Sequence, residues 1–459
     1  MTSEEICVRQ PDAVTRADLA KVFEPAPGRR EQIGLELECG LVDPTTGLSV
    51  PYDGQRGGRA LLQLLIDELE AAPLFDGPYL IGVQLPGGGQ FSLEMGGALE
   101  YSSVPLDSLA AVVHTTRAAV RDAAELARRL DIAVLSGSIL PFTPMADVPW
   151  IPKPRVQMMR DFFRDLGEAG SLADGVMGLT LSSQVSLDYL SIPDLFEKLR
   201  LHVAASPVVA ALFVNSPIAE GRRTEVLSRR MKFWRKIDPA RCGVQEFALR
   251  PDATADDLVA WAIDLPLIYR DLRGGSHHHV RAPKTPFRNL LSGGFPDGQF
   301  PTMADWESLL SQVWPQVRVR RTLELRAPDG PNWSAMSAPA AIWTGLTYDP
   351  DARRSALDLL SDVKPTDVDP ANDQVAEEGL AASLGSYQVR EVGRELLRYA
   401  RAGLAARVAA GLEPAEVLGY LDPLDEVAET GITPAVSLLS RWTGDLDGRP
   451  DRYVNAFRI

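Results

Sequence analysis

The sequence predicts an α+β fold, with an antiparallel or mixed sheet and a helical C-terminal layer. Three observations carry this. Stretches that alternate apolar and polar residues fall in the first three quarters of the chain. Stretches with apolar residues at helical spacing lie between them. From about residue 335 onward only the helical pattern remains.

Residues 1–30 read as a short helical preface and the Pro-containing loop "EPAPGRR". "IGLELECGL" at 33–41 alternates and predicts a strand. Residues 57–72 predict an amphipathic helix. "FSLEMGGALEYSS" at 91–103 alternates again and reads as one strand. Residues 106–130, rich in Ala, Leu and Arg, predict a long helix, and "IAVLSGS" predicts a strand. The loop "LPFTPMADVPWIPKPR" leads into a helix from about 155. "VMGLTLSSQVSLDYLS" at 176–191 alternates, and helices are expected at 193–213 and 224–236. "GGSHHHVRAPKTPFRNLLSGGFPDGQFPT" is a long Gly/Pro-rich connection, a candidate lid or binding loop. A helix from 305 precedes the strand "QVRVRRTLELRAP". We expect one domain over 1–459, with a preface at 1–30, a sheet-bearing core at 31–334 and a helical layer at 335–459.

Composition narrows the function. With 45% hydrophobic and 24% charged residues over 459 positions, the chain can bury a large core. No apolar run reaches the roughly 18 residues of a membrane span. The segment "MTSEEICVRQ" has no apolar stretch of the kind a signal peptide needs. Cys7, Cys39 and Cys242 are too few and too scattered for a disulfide framework or a zinc site. A reducing cytoplasm is the expected home. The net charge of −15 argues against nucleic acid or an anionic membrane as partner. A small anionic ligand would need local arginines or a metal.

The strands share one unusual feature. In 33–41, Ile33, Leu35, Leu37, Cys39 and Leu41 point one way, and Gly34, Glu36, Glu38 and Gly40 the other. In 91–103, Ser92, Glu94, Gly96, Ala98, Glu100 and Ser102 share a face. Gly178, Thr180, Ser182, Gln184, Ser186 and Asp188 form the polar face of the third strand. Arg318, Arg320, Thr322, Glu324 and Arg326 form that of the fourth. In one sheet, Glu36, Glu38, Glu94, Glu100 and Glu324 would converge. Five carboxylates cannot share a pocket without cations, because each raises the pKa of the others. Hard divalent ions with oxygen ligands, Mg²⁺ above all, would serve. Arginines on the same face suit phosphate or carboxylate groups. Together these are equipment for phosphoryl transfer, although no Walker-A motif is present. The competing reading is four half-exposed strands with ordinary surface charge.

The same segments carry a resemblance. "IGLELE", "SLEMGGALEYSSVPL", "IPKPRVQMMRDF", "SSQVSLDY", "LFVNSPIAEG", "RRMKFW" with "DPARCG", "VRVRRTLELRAPDG" and "GITPAVSLL" stand in order over about 30–445. In that order they resemble the plant and proteobacterial type of glutamate–cysteine ligase, part of the carboxylate–amine ligase superfamily that includes glutamine synthetase. The resemblance implies a glutamine synthetase-like catalytic fold, in which one face of a curved, mostly antiparallel sheet lines the active site and helices pack outside. It implies an ATP-dependent ligase that forms γ-glutamylcysteine through a γ-glutamyl phosphate, in a low-molecular-weight thiol pathway such as that of glutathione or ergothioneine. Glu36, Glu38, Glu94, Glu100 and Glu324 would hold Mg²⁺, or Mn²⁺ in its place. Arg326 would stabilise the transferred phosphoryl group beside Glu324, and Gln184 would assist metal or nucleotide.

Lys153 and Arg155, in a rigid Pro-bounded loop, are candidates for nucleotide phosphates or substrate. Arg230 and Arg241 fall in matched motifs and suit the carboxylates of glutamate. Two departures concern the amine. Ser186 stands where the family has asparagine, and Leu309 where it has histidine in Asp-Trp-x-x-His-Leu-Thr-Thr. These two are therefore candidates for the acceptor pocket, and a different amine in a secondary-metabolite pathway is an alternative. A catalytically silent binding protein is a further one. The His277-His278-His279 run reads as a surface or lid feature rather than a metal site.

Overall fold

Strand β1 (Ile33–Val42) is the axis of the molecule. Its odd residues Ile33, Leu35, Leu37, Cys39 and Leu41 are all buried, as the alternation predicts. Around it stand β2 (Ala72–Asp76), β3 (Tyr79–Gln84), β4 (Gln90–Leu93), β5 (Leu99–Ser102), β6 (Ala133–Leu135), β7 (Ser183–Leu187), β8 (Val317–Val319) and β9 (Leu323–Leu325). These form a nine-stranded sheet in the order β8-β9-β7-β1-β5-β4-β3-β2, with β6 paired to the far end of β1. Every pair is antiparallel. The computed structural model describes residues 12–272 and 278–459.

Helices α1 (Gly58–Leu69) and α2 (Leu109–Arg129) contact the sheet at β3 and at β1 and β5. Helix α3 (Pro154–Asp165) follows the proline-rich loop. Helix α4 (Ile192–Phe213) is buried along most of its length, as is α7 (Ala338–Tyr348). Between them lie α5 (Arg229–Trp234) and α6 (Met303–Ser311), and α8 (Val389–Ala409) packs on α7. One apolar cluster takes in Leu35 and Leu37 of the sheet, Leu201 of α4, Trp343 of α7 and Leu396 of α8. The C-terminal helices therefore share the sheet's core. Buried Glu413 ties them to α2: it accepts from Ser108 Oγ at 2.8 Å and from the N–H groups of Leu109 and Ala110 at 2.6 and 3.2 Å. Among the described residues no helix is long and apolar enough to cross a membrane.

Three sequence expectations are corrected. Residues 91–103 are not one strand but the β4–β5 hairpin. "QVRVRRTLELRAP" is likewise a hairpin, turned where Arg320 N–H donates to Thr322 O at 2.9 Å. Residues 176–191 begin in a short helix, Ala173–Leu179, because Ala173, Val176 and Leu179 are buried at helical spacing; only Ser183–Leu187 is strand. The Gly/Pro-rich connection contributes a strand, His278–Arg281, paired antiparallel with Tyr269–Leu272, and a helix, Phe287–Gly293. His277 lies outside the described residues, as does Cys7.

Candidate active site

Registry decides which side chains meet on the face opposite the core. Glu38 of β1 stands across from Glu100 of β5, and Glu36 from Ser102. On its other side Glu36 stands across from Gln184 of β7. Ser186 of β7 faces Glu324 of β9, and Arg318 of β8 faces Glu324 in turn. Like charges directly opposite one another destabilise a sheet. The Glu38–Glu100 pair therefore has no rationale in the stability of the strands.

Glu94 joins them from the turn of the β4–β5 hairpin. Its N–H donates to Ala98 O at 2.8 Å, and the N–H of Gly97 donates to Glu94 O at 2.7 Å. Gly97 takes a φ of +87°, open to glycine at little cost. A Cβ on Gly96 would lie 2.2 Å from the carbonyl oxygen of Gly178. The two glycines thus make the turn and its close packing, rather than leaving room on a strand face. The segment before α3 clamps the same turn: Lys153 Nζ donates to Leu93 O at 2.6 Å and Ile151 N–H to Met95 O at 3.1 Å.

The acids divide into two electrostatic states. Burial, and after it the charge of Glu324, pushes the Glu36 carboxyl up to about 7. Burial and then Glu94 push Glu38 up to about 7. Burial and the charges of Glu36, Glu94 and Glu38 hold Glu100 well above the usual carboxylate range. Glu324 goes the other way. Burial alone would raise it, but Arg318 and Arg326 hold it down to about 2. Arg318 donates from Nε to Oε2 at 3.0 Å and from Nη2 to Oε1 at 2.7 Å. Arg326 Nη1 donates to Glu324 Oε1 and to Gln184 Oε1. Beneath it, Arg230 Nη2 donates to the carbonyl of Arg326 at 3.0 Å, and Nη1 lies 3.7 Å from Asp329.

A cleft of about 960 Å³ opens over this face. Ser92, Glu94, Glu100, Lys153 and Arg155 line one side, and Asp305, Glu307 and Ser308 of α6 line another. Burial and then the neighbouring Arg155 lower the Lys153 ammonium to about 8. A cavity of about 250 Å³ shares Glu307 and Arg320 with the cleft and reaches Glu36, Ser186 and Glu324. A third, of about 60 Å³, is walled by Trp234 and Trp314 and touches Arg230, Arg326 and Cys242. Among the described residues no three His, Cys, Asp or Glu side chains form a ready-made metal cage.

The structure gathers Glu36, Glu38, Glu94, Glu100, Glu324, Gln184, Ser186, Arg326, Lys153 and Arg155 around this face, with Arg230 supporting Arg326 from below. It does not bring Arg241 there. That side chain is fully buried and donates to Asp238 Oδ2 at 2.9 Å, Gln312 O at 3.0 Å and Pro266 O, so it braces loops. Leu309 is also elsewhere: it is 0% exposed, sits in the main apolar core and lines none of the three cavities. Cys39 is buried in the apolar core, which pushes its thiol up to about 12, and burial also raises Cys242. His279 lines the cleft from the 269–281 hairpin. The sequence puts Arg318 on the face of Glu324 without giving it a role of its own, and it does not single out Asp76. Asp76 was not legible, since Asp-Gly at a hairpin reads only as a turn.

The chain resembles known proteins over almost all of its length. The profile of glutamate-cysteine ligase family 2 (GCS2) matches residues 32–454. A chloroplastic glutamate–cysteine ligase of Brassica juncea is 31% identical over 448 residues, covering 97% of this chain and 84% of that protein. Its counterpart in Arabidopsis thaliana is 30% identical over 448 residues, covering 97% and 82%. Among solved structures, a glutamate–cysteine ligase from Francisella tularensis in complex with AMP matches with a TM-score of 0.55 over 95% of this chain and 88% of that one. At 12% identity that likeness is one of fold.

Proposed function

The chain belongs to glutamate–cysteine ligase family 2, and we propose that the acid face of its sheet is where it joins L-glutamate to L-cysteine. It is an ATP-dependent ligase. The γ-phosphoryl group of ATP passes to the γ-carboxylate of glutamate, giving γ-glutamyl phosphate and ADP. The amine of cysteine attacks the acyl carbon, a C–N bond forms, the C–O bond to phosphate breaks, and the amine's proton is released. The observation that carries the reading is the cross-strand Glu38–Glu100 pair.

The donor set fits a hard divalent ion. Glu36, Glu38, Glu94 and Glu100 offer only oxygens, and three of the four are raised, by burial first and then by neighbouring carboxylates. Mg²⁺ keeps several waters and binds through one or two carboxylates plus substrate phosphates, so spaced acids on an open face suit it without a closed cage. When bound, Mg²⁺ or Mn²⁺ would neutralise charge on the triphosphate. Glu324 would join the ligands once Arg326 turns from its Oε1 to the transferred phosphoryl group, whose charge Arg326 would stabilise. Gln184 aims Arg326. Lys153 and Arg155 would reach phosphates or a substrate carboxylate from the far wall. The product would feed a low-molecular-weight thiol pathway such as that of glutathione. Cys39 and Cys242, both free, suit a reducing compartment such as the cytoplasm.

One observation favours a second amine: the tryptophan-walled cavity beside Arg326 would take a less polar side chain. Phosphate release from ATP with glutamate and a panel of amines tests both readings. Cysteine should support turnover. Release with 2-aminobutyrate at equal kcat/KM would favour the second reading, and no release with any amine would overturn both.

A further inference from the structure

Among the described residues, two side chains of opposite charge lining the large cleft have a polar atom with no partner. Asp76, the last residue of β2, is 2% exposed, and its Oδ1 is buried without a hydrogen bond. Arg155 Nε is buried without one as well. Both residues line the cleft that holds Glu94 and Glu100. Among the described residues, His279 Nδ1 lies 3.9 Å from Asp76 Oδ2, outside hydrogen-bond reach. Lys153, whose charge Asp76 favours, gives its hydrogen bond to Leu93 O instead. A buried carboxylate oxygen left unpaired is costly, and native structures retain such atoms for a reason. The terminal torsion of aspartate is soft, so a small rotation turns Oδ1 into the cleft.

A negative and a positive group lining one cleft, each with one unpartnered polar atom, match the head group of an α-amino acid. We propose that Asp76 receives the α-ammonium group of an amino-acid substrate, with Arg155 facing its α-carboxylate. The inference rests on the cleft being the ligase site. Donor glutamate and acceptor cysteine carry the same head group, and the test separates them.

The test is steady-state kinetics of Asp76→Asn, with KM measured for glutamate, cysteine and ATP. The variant keeps the shape and removes the charge. KM for one amino acid should rise about 10-fold or more, as for loss of a charge-assisted hydrogen bond, while KM for ATP stays within about twofold. Cysteine as the affected substrate assigns the acceptor. For glutamate, a binding arm without turnover follows. Wild-type protein should prefer glutamate over glutarate, which lacks the amine, and Asp76→Asn should shrink that preference in calorimetric titration. Thermal stability should stay level or rise, because an unpaired buried charge has been removed. Unchanged KM values, an equal rise for all three substrates, or a fall in Tm with unchanged KM would overturn the proposal. Glu94→Gln keeps the two failures apart. If that variant still turns over, the cleft is not the ligase site. If it is dead and Asp76→Asn is silent, only this inference fails.

Discussion

The two ends of the acid face solve the same problem differently. At the β8–β9 end, Glu324 is neutralised by the protein itself: Arg318 grips both of its oxygens and Arg326 adds a third donor. At the β1–β5 end, Glu38 stands opposite Glu100 with Glu94 near, and among the described residues no arginine or lysine is hydrogen-bonded to any of the three. The first carboxyl is held down to about 2 and Glu38 is pushed up to about 7. A buried acid with a built-in cation is already neutralised before any substrate binds. A cluster of buried acids without one is, in the function proposed above, where cations that arrive with the substrate would sit.

The largest effect should come from removing a member of the unpaired end. Glu100→Gln should lower ATP turnover by at least about 10²-fold while circular dichroism shows an intact fold, because a charged oxygen ligand is replaced by a neutral one. Retained turnover would mean that this end has no catalytic cation. Gly96→Ala should come next. Its new Cβ would strike the Gly178 carbonyl at 2.2 Å, so the turn that carries Glu94 must move. The variant should fall in both kcat and urea midpoint. A change in the midpoint alone would separate Glu94 from the chemistry.

At the paired end the expected loss is of stability. Arg318→Leu strands Glu324, which is 7% exposed, without its bidentate partner. Chemical denaturation should show about 3 kcal/mol lost, as for one broken partner of a buried ion pair. A loss below about 1 kcal/mol would mean that Arg326 alone holds Glu324.

The two ends should also respond to pH with opposite signs. Glu36 and Glu38 keep their protons to about 7 when folded, against 4.5 for an ordinary glutamate. Their stabilising contribution is complete below pH 4.5 and is lost as pH rises through about 7. Glu324, at about 2, contributes above pH 4.5 and loses that only as pH falls toward 2. Between pH 5 and 8 the raised carboxyls change and Glu324 does not. Metal-free protein should therefore lose a few degrees of Tm over that range, and Mg²⁺ should restore more at pH 8 than at pH 5. Equal Mg²⁺ effects at both values would contradict the raised carboxyls.

These residues also show what a sequence can tell. β1 was legible because it runs ten residues without a break, so alternation assigns both its faces. The segments 91–103 and 316–328 alternate as convincingly, yet each is folded on itself. Alternation does not register a tight turn that preserves the side-chain face. Glu94, Glu100, Arg318 and Glu324 still reach the acid face because an antiparallel hairpin returns to it. Leu309 misled for a different reason. A departure from a family motif drew it toward the acceptor, while Trp306 and Leu310 around it are buried at the spacing of a core-facing helix. Leu309→His should therefore cost roughly 1–3 kcal/mol through an unpaired buried polar group and leave the cysteine to 2-aminobutyrate ratio unchanged. That is the smallest functional effect expected here. A shifted ratio would return Leu309 to the acceptor pocket. Arg241 was beyond any sequence reading, since its partners at Gln312 and Pro266 meet it only in the folded chain.

The central claim is that the β1–β5 end holds divalent cations and the β8–β9 end does not need them. The direct measurement is a Mn²⁺ titration followed by electron paramagnetic resonance in the presence of ADP, on wild-type protein, Glu100→Gln and Arg318→Leu. Glu100→Gln should lose bound Mn²⁺ per chain, and Arg318→Leu should keep the wild-type number. Equal Mn²⁺ stoichiometry and affinity in wild type and Glu100→Gln would contradict the claim.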